Sequence, residues 1–428
     1  MVYQTGDDIH SIPRVLIVNS QNIFKANATG ITMRSLWRDF EPSKILEVYE
    51  CKSANSVKDE TIRFQSIQIP PKTKPLYYFI RKVLNKEIYF DTYDSKPAPK
   101  SDRATKQFIL KKAIVAIIKA LLENEPIRRD KDFLNRIDQF RPEIIYSMGS
   151  SFFVHSWVLY LSRRYKIPVV MHYMDDWRTT MFTDNSLTRW LNRKIEKQLT
   201  LIENNMKCGL TISDEMADVY NQKYGHMYVS IMNSVELKPT KKVVHECYHI
   251  VYAGGLHLNR YISLLELAKV ISNIEDVKLI IYTSRVNIER YAAYFTNYNN
   301  TEFRDAVPHE EIGVVYEEAD MLLHIESFLP DNIRYTRYSI STKIPEYMIS
   351  GKPIVCFAPH DIAVYKYIQK NNAGICIEDA EKIIDALEEL KDQNKYMQYV
   401  ENAQSVAKRN HSVKKSQQKL LQVLRGDY

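Results

Sequence analysis

Residues 341–357 read STKIPEYMISGKPIVCF, a short helical pattern that ends at Gly351 and is followed by a buried strand. Thr342 is a suitable N-cap, and a proline fits the first turn because N–H groups there lack partners within the helix. A helix start binds anions through these N–H groups and its positive dipole end. With the hydroxyls of Ser341 and Thr342 and the cation of Lys343, the stretch predicts a phosphate site in an α/β domain.

Short apolar runs alternate with helical patterns on both sides of this stretch. Such alternation is typical of parallel sheets built from βαβ units. We predict strands in the first half of the chain at residues 14–20, 143–147, 168–172, 208–212 and 228–232. In the second half we predict strands at residues 249–253, 278–282, 321–325, 353–357 and 374–377.

The length of 428 residues suits two α/β domains better than one hydrophobic core. Residues 235–246 are polar and lysine-bearing, which indicates an interdomain linker. We therefore predict an N-terminal domain over residues 1–238 and a C-terminal domain over 239–394. Helices over 395–428 close the chain.

An insertion at residues 71–138 interrupts the first domain and carries a basic amphipathic helix at about 105–124. The favoured interpretation is a core helix with solvated lysines. The alternative is a helix on an anionic membrane surface, because basic residues beside an apolar face suit lipid headgroups. The apolar side of this helix comprises Phe108, Ile109, Ala113, Ile114, Ile117 and Leu121.

Composition excludes several classes of protein. The net charge of +7 fits nucleic acid, anionic lipid or a phosphorylated small molecule. No basic run with interleaved aromatics and no zinc motif occurs, so we expect no nucleic-acid partner. The five cysteines are scattered, and neither a secretory signal nor a membrane-spanning run is found. We expect a cytoplasmic protein, with contact to a membrane surface left open.

In open parallel sheets, ligands bind beyond the carboxyl ends of the strands. Gly254 and Gly255 directly follow the strand at 249–253, and Arg260 precedes the next helix. Two glycines let a ligand approach the backbone, and an arginine neutralises phosphate. A tight turn with a surface arginine is an equal alternative.

A second group of polar residues follows the strand at 321–325. Glu326 comes directly after it, and a loop carrying Arg334 and Arg337 leads to the helix start quoted above. Glu346, in the first turn of that helix, is suited to accept both hydroxyls of a ribose. Its alternative role is that of an acid favoured by the helix dipole.

A third cluster, His172, Asp175, Asp176 and Trp177, follows the strand at 168–172. A carboxylate there is suited to accept a proton from an attacking hydroxyl or to support a cationic sugar. Aspartate is also a favoured N-cap. We assign Asp175 to function and Asp176 to capping.

Together these motifs resemble the GT-B glycosyltransferases, specifically the retaining family-four-like group that builds bacterial surface polysaccharides. The resemblance spans nearly the whole chain, and its last motif is the most specific. The motifs are CGLTISDEMADVY (208–220), IMNSVE (231–236), VYAGGLHLNR (251–260), EEIGVVYEEADMLLHI (310–325) and STKIPEYMISGKPIV (341–355).

The resemblance implies two Rossmann-like domains facing across a cleft, with a nucleotide-sugar donor bound by the C-terminal one. Gly255 and Arg260 would meet the diphosphate together with Ser341, Thr342 and Lys343. Glu346 would bind the ribose, and the backbone near Val307 would frame the base. The closing helices would return to the N-terminal domain.

Two departures from the family pattern concern catalysis. Tyr338 stands where many relatives have an acid near the transferred sugar, and Glu326 is our candidate to replace it. Met174 stands where many relatives have a histidine directly before the aspartate. His172 and Asp175 remain our candidate catalytic residues in this domain.

The function implied is sugar transfer from a nucleotide-sugar to a hydroxyl of a glycan or lipid-linked acceptor, with retention of configuration. No cofactor and no metal are expected, because Arg260 and Lys343 can supply the positive charge that a metal would. Two alternatives stay open. One is a nucleotide-sugar epimerase of the same fold, and the other is a non-catalytic scaffold partner.

Overall fold

The computed structural model describes residues 12–25, 27–51, 57, 59–84, 102–236 and 245–427, with side chains at 51, 81–84 and 102–112 left undescribed. The chain forms two compact units. The first comprises Met1–Met232 together with Lys414–Tyr428, and the second comprises Asn233–Val413. Most of the predicted linker, residues 237–244, lies outside the described residues.

The first unit is built on a parallel sheet with seven strands among the described residues. These strands are β1 Val15–Gln21, β2 Ile45–Cys51, β3 Gln65–Gln68, β4 Ile144–Ser147, β5 Val169–Tyr173, β6 Gly209–Thr211 and β7 Tyr228–Ser230. Their order is β3-β2-β1-β4-β5-β6-β7, and every pair of neighbours is parallel. All five strands predicted for this half are therefore confirmed.

The sequence did not predict β2, because acids interrupt its apolar pattern. Glu47 is fully buried there and accepts a hydrogen bond from the backbone N–H of Ile23 at 2.8 Å. Burial raises the pKa of Glu47 to about 7. A strand that buries carboxylates does not show the apolar run that identifies a parallel strand.

Helices cover the sheet of the first unit. They are α1 Ala28–Trp37, α2 Pro75–Leu84, α3 Asp102–Glu123, α4 Lys131–Phe140, α5 Phe152–Tyr165, α6 Trp177–Thr180, α7 Arg189–Glu203 and α8 Asp214–Tyr224. The predicted helix start after β6 is confirmed, since Ser213 is the N-cap of α8 and its hydroxyl accepts from the N–H of Met216 at 3.2 Å.

The insertion helix α3 differs from the favoured prediction of a core helix. Ile114 and Leu121, both predicted on the core side, are 48% and 57% exposed, and Val115 and Ile118 are also exposed. Ala120 and Leu122 are buried instead. The side chains of Phe108 and Ile109 lie outside the described residues. Within the described parts of the chain, none of the helices combines the length and apolar character that a membrane crossing needs.

The second unit repeats the design with a smaller parallel sheet. Its described strands are β8 Tyr248–Ala253, β9 Val277–Thr283, β10 Thr301–Asp305, β11 Met321–Ile325, β12 Ile354–Phe357 and β13 Ile375–Ile377, in the order β10-β9-β8-β11-β12-β13. The five predicted strands are confirmed. The unpredicted strand, β10, lies at the sheet edge, where its sequence TEFRD stays partly exposed and polar.

Helices of the second unit follow the strands in alternation. They are α9 Arg260–Ile271, α10 Arg285–Tyr291, α11 Ile312–Glu318, α12 Pro330–Thr336, α13 Lys343–Ser350, α14 Ala363–Lys370, α15 Lys382–Lys391 and α16 Gln393–Asn410. Of the closing helices, α16 belongs to this unit, whereas α17, Val413–Arg425, belongs almost wholly to the first. Short 3-10 turns occur at Pro42–Lys44, Pro71–Thr73, Ala292–Phe295 and His309–Glu311.

Strand order places a topological switch point in each sheet. Strands β1 and β4 are neighbours in the first unit, and strands β8 and β11 are neighbours in the second. Connections leave in opposite directions from such a pair, so a crevice opens beyond the carboxyl ends of its strands. In the second unit, the residues that follow β8 and β11 are the predicted phosphate-binding and acidic residues.

Candidate functional site

The turn after β8 is held by hydrogen bonds at both glycines. The N–H of Gly254 donates to the carbonyl of Tyr282 at 2.9 Å, and the Tyr252 hydroxyl donates to the carbonyl of Gly255 at 2.7 Å. Both glycines are partly exposed. The backbone of this turn is therefore fixed at the carboxyl end of the central strand.

The predicted helix start is confirmed, because helix α13 begins at Lys343 with Thr342 at the N-cap position. Its role in binding an anion stays a prediction. The Thr342 side chain does not make a capping hydrogen bond. Instead, the Ser341 hydroxyl accepts from the N–H of Lys343 at 3.4 Å. The helix ends as predicted at Gly351, whose φ of 83° is the left-handed value that glycine adopts without strain.

Lys343 extends its side chain to the glycine turn. A Cβ added at Gly254 would lie 2.2 Å from Nζ of Lys343, so only glycine leaves room for the ammonium. The same Nζ lies 5.1 Å from the ring centroid of Tyr252. Among the residues that the structure describes, no hydrogen bond or ion pair satisfies this ammonium.

The pKa of Lys343 is shifted by its burial and by three charged side chains nearby. Burial, together with the charge of Arg260, lowers the pKa of Lys343 to about 8, although Glu326 and Glu346 act in the opposite direction. All four charged groups therefore interact across the carboxyl edge of the second sheet. An anion placed against Lys343 would raise this pKa again, because an opposite charge favours ionisation.

Arg260 and Glu326 form a buried ion pair in this edge. Nε of Arg260 donates to Oε2 of Glu326 at 3.0 Å, and Nη2 donates to Oε1 at 2.9 Å. Nη1 of Arg260 donates to Nε2 of His257 at 3.1 Å. Arg260, predicted to bind the diphosphate, and Glu326, predicted to bind the sugar, are thus hydrogen-bonded to each other.

Glu346 faces a pair of polar side chains from a different part of the unit. The Tyr316 hydroxyl donates to Oε2 of Glu346, and Nδ1 of His309 lies 3.6 Å from Oε1. Burial raises the pKa of Glu346 above its ordinary value. The Tyr316 hydroxyl thus holds one oxygen of this carboxylate, and the binding of a ribose by Glu346 stays a prediction.

Two further predictions concern the connections around this edge. Val307 follows β10, is partly buried and packs against the core of the unit. Arg334 and Arg337 do not lie in a loop as predicted, because α12 forms there and includes Arg334. Arg337 lies at the end of α12, with Nη2 at 3.5 Å from Oδ2 of Asp361.

In the first unit, His172 lies on β5 with no solvent exposure. Its Nδ1 is 2.6 Å from the hydroxyl of Tyr146. Burial lowers the pKa of His172 to about 4, so the ring is neutral at pH 7. These surroundings favour a core histidine, and its catalytic role stays a prediction.

The two aspartates after β5 have different surroundings. Asp175 is exposed, whereas Asp176 is buried at the predicted N-cap position of α6, although its side chain makes no capping hydrogen bond there. Oδ1 of Asp176 accepts from the hydroxyl of Tyr220 at 2.6 Å, and burial raises its pKa. The ring of Trp177 packs 5.5 Å from that of Tyr173. The exposed carboxylate of Asp175 is therefore the better placed to meet a ligand.

Sequence reasoning missed several residues that shape these sites. His257 lies within the VYAGGLHLNR motif, so its position beside the glycines was available as a signal. Tyr316 and His309 precede Glu346 by 30 and 37 residues, and no spacing rule links them to it. Asn233 is buried and its Nδ2 donates to the carbonyl of Ile340 at 2.8 Å, just before α13.

Residues 250–422 match the family model described as the C-terminal domain of glucosyltransferase 3-like proteins. No curated protein matches the sequence. Among solved structures, Anabaena HepE in complex with UDP aligns with a TM-score of 0.64 and 12% identity, covering 96% of this chain and 99% of HepE.

Two other solved structures are similar over their whole length. TarM aligns with a TM-score of 0.61 at 11% identity, over 98% of this chain and 100% of TarM. A glycosyltransferase from Rickettsia africae aligns with a TM-score of 0.57 at 11% identity, over 96% of this chain and 98% of its own. The chain thus has the GT-B fold of glycosyltransferases.

Proposed function

We propose that this chain is a glycosyltransferase whose second unit binds a nucleotide-sugar donor and that transfers the sugar to a hydroxyl acceptor. The observation that carries the proposal is the Lys343 ammonium, which has no anionic partner among the described residues and lies against Gly254. An unsatisfied cation beside a glycine turn and a helix start is the arrangement that an anionic ligand completes.

The donor would be held by residues in distinct roles. Lys343, Arg260 and the N–H groups at the start of α13 offset the negative charge of the diphosphate. Glu346 accepts the ribose hydroxyls, and the backbone near Val307 borders the base. Gly254 and Gly255 let the diphosphate approach the backbone.

The transfer step forms a bond from the acceptor oxygen to the anomeric carbon and breaks the bond from that carbon to the diphosphate oxygen. Negative charge grows on the leaving diphosphate, where fixed cations lower the barrier without a metal ion. Asp175 is our candidate to accept the proton of the acceptor hydroxyl. We propose that the anomeric configuration is retained, as the sequence resemblance implies, so the acceptor oxygen must attack the face of the anomeric carbon from which the diphosphate leaves.

The similar structures suggest which donor to try first. HepE has been crystallised with UDP and with UDP-glucose. We propose a UDP-sugar as the first donor to test and a glycan or lipid-linked molecule as the acceptor. The resemblance to surface-polysaccharide transferases supports a role in glycan biosynthesis.

A membrane association is part of the same proposal. The exposed side chains of Ile114, Ile118 and Leu121 recur along one side of α3, whose sequence is rich in lysine. Such a face suits the cytoplasmic surface of an anionic bilayer. Cosedimentation with vesicles containing phosphatidylserine should be lost when Ile118 and Leu121 are both changed to glutamate, and unchanged binding would contradict this part.

The primary experiment is a thermal-shift panel of UDP, GDP, TDP and CMP with the full chain. A nucleotide well above its dissociation constant should stabilise the protein by about 2–4 kcal/mol. Lys343→Met should remove the shift, whereas Lys370→Met, at an exposed position in the same unit, should keep it. Absence of any shift with the folded wild-type chain would defeat the donor-site proposal.

A product assay then separates transfer from the alternatives. Consumption of the nucleotide-sugar that depends on an acceptor supports a transferase. Epimerised donor without an acceptor would indicate an epimerase. Nucleotide binding without any turnover would indicate a scaffold.

A further inference from the structure

Glu326 holds one complete edge of the Arg260 guanidinium. Its two oxygens accept from Nε at 3.0 Å and from Nη2 at 2.9 Å, and the two side chains are only 6% and 12% exposed. Burial opposes ionisation of Glu326, yet the charge of Arg260 together with His324 holds the pKa of Glu326 at about 2. The pair is therefore ionised throughout the physiological range.

This contact fixes the direction of the rest of the guanidinium, because its N–H groups lie in one rigid plane. Nη1, away from the Glu326 edge, donates to Nε2 of His257. The His257 ring in turn lies against the glycine turn, since a Cβ at Gly255 would be 2.5 Å from its Nδ1. The Nη1 end of Arg260 is thus directed towards the turn that borders the proposed diphosphate.

Surrounding hydrogen bonds make Glu326 a rigid support. The Ser263 hydroxyl donates to the carbonyl of Glu326 at 3.0 Å. Nδ2 of the buried Asn332 donates to the carbonyl of Leu258 at 2.7 Å and to the hydroxyl of Ser327 at 3.0 Å. These bonds tie the segment before Arg260 to the segment after Glu326, so the ion pair has little freedom to rotate.

We propose that Glu326 is a positioning residue, which orients Arg260 for the diphosphate and does not itself contact the transferred sugar. The inference rests on the proposed nucleotide-sugar site. It differs from the role predicted from sequence, in which Glu326 replaces a sugar-binding acid. Both oxygens of Glu326 already accept from the guanidinium, and its side chain is only 6% exposed, so sugar hydroxyls have little access to it.

The test compares calorimetric affinities of a nucleoside diphosphate and its nucleoside, with UDP and uridine as the first probes. Glu326→Gln should weaken UDP binding by about tenfold or more, because Arg260 loses its orienting partner. Uridine, which has no phosphate, should bind both proteins equally. The double variant with Arg260→Ala should be no weaker than Arg260→Ala alone, since Glu326 acts only through Arg260.

Different results would contradict the positioning role of Glu326 and the proposed function. If Glu326→Gln binds UDP as tightly as wild type but no longer transfers the sugar, the inference is overturned. Glu326 would then be assigned to contact with the sugar. Additive losses in the double variant would also overturn it. If Glu326→Gln does not fold, Arg260→Lys replaces it, and UDP affinity within about twofold of wild type there would contradict the need for an oriented guanidinium. If none of UDP, GDP, TDP or CMP binds the wild-type chain, the proposed function itself fails.

Discussion

Glycines near the carboxyl edges of the two sheets leave room for different groups. In the second unit, the space beside Gly254 is filled by the end of the Lys343 side chain. In the first unit, Gly30 lies in α1 after β1, and a Cβ there would be 2.0 Å from the backbone carbonyl oxygen of Lys25. A side chain at Gly30 would therefore meet the chain's own backbone, whereas a side chain at Gly254 would meet the movable end of a lysine.

Buried polar residues extend the contrast. His172 and His155 of the first unit are fully buried, and burial lowers the pKa of each to about 4. In the second unit, the buried charges of Arg260 and Glu326 are paired next to Lys343, which forms no ion pair with the residues that the structure describes. Two sheets with related strand orders thus carry different chemistry at the same edge, which illustrates that function depends on the site rather than on the fold.

The largest expected effect tests whether the first unit contributes chemistry at its exposed acid. Asp175→Asn should lower kcat for sugar transfer by about 10²- to 10⁴-fold if its carboxylate accepts the acceptor proton. Nucleotide affinity should not change, because the donor residues lie in the second unit. Steady-state kinetics with Asp218→Asn, at an exposed position of α8, provide the matched control. Unchanged kcat in Asp175→Asn would leave the first unit without its proposed base.

The next largest effect is on stability and compares alanine substitutions at Gly30 and Gly254. Gly30→Ala should destabilise the first unit by about 3 kcal/mol, because backbone rather than a flexible side chain must move. Gly254→Ala should leave stability nearly unchanged, since only the end of Lys343 is displaced, and should weaken nucleotide binding. All four tryptophans lie in the first unit, so thermal unfolding followed by tryptophan fluorescence reports that unit. Equal melting temperatures for the two variants would contradict the difference between the surroundings of Gly30 and Gly254.

These differences show what the sequence could predict. Apolar runs identified ten strands, and the glycine and proline pattern around α13 located its start and end. Strand β2 was not predicted because Glu47 and Glu50 are buried within it and interrupt its apolar pattern. The Arg260–Glu326 pair joins residues 66 positions apart, so only the neighbouring positions of β8 and β11 in the sheet bring them together. Local patterns predict elements, whereas the partners of a buried charge depend on the whole fold.

A smaller effect concerns acid stability of the first unit. Because the folded-state pKa of His172 lies near 4 and the unfolded value near 6.5, its stabilising contribution is complete above about pH 6.5 and is lost as pH falls towards 4. The full loss is about 3 kcal/mol. His172→Gln removes this titration, so the stability gap between wild type and variant should narrow from pH 7 to pH 4.

The same variant tests the catalytic prediction for His172. Tryptophan fluorescence during urea unfolding measures the difference in the free energy of unfolding between wild type and His172→Gln at each pH. A gap that is independent of pH would contradict the neutral buried ring. Loss of sugar transfer at pH 7 by a folded His172→Gln protein would instead support a catalytic histidine.

The most direct test of the account is the pH dependence of nucleotide affinity at Lys343. With a pKa of about 8 in the free protein, Lys343 must take up a proton to hold a diphosphate at higher pH. Calorimetry with UDP, or with GDP or TDP if one of these binds instead, should therefore show a loss of affinity of only about twofold from pH 7 to pH 8. Above pH 8, affinity should fall by up to about tenfold per pH unit. Lys343→Met should bind about 100-fold more weakly and without this pH dependence, whereas Lys370→Met should match wild type. Equal nucleotide affinity in wild type and Lys343→Met would contradict the central claim.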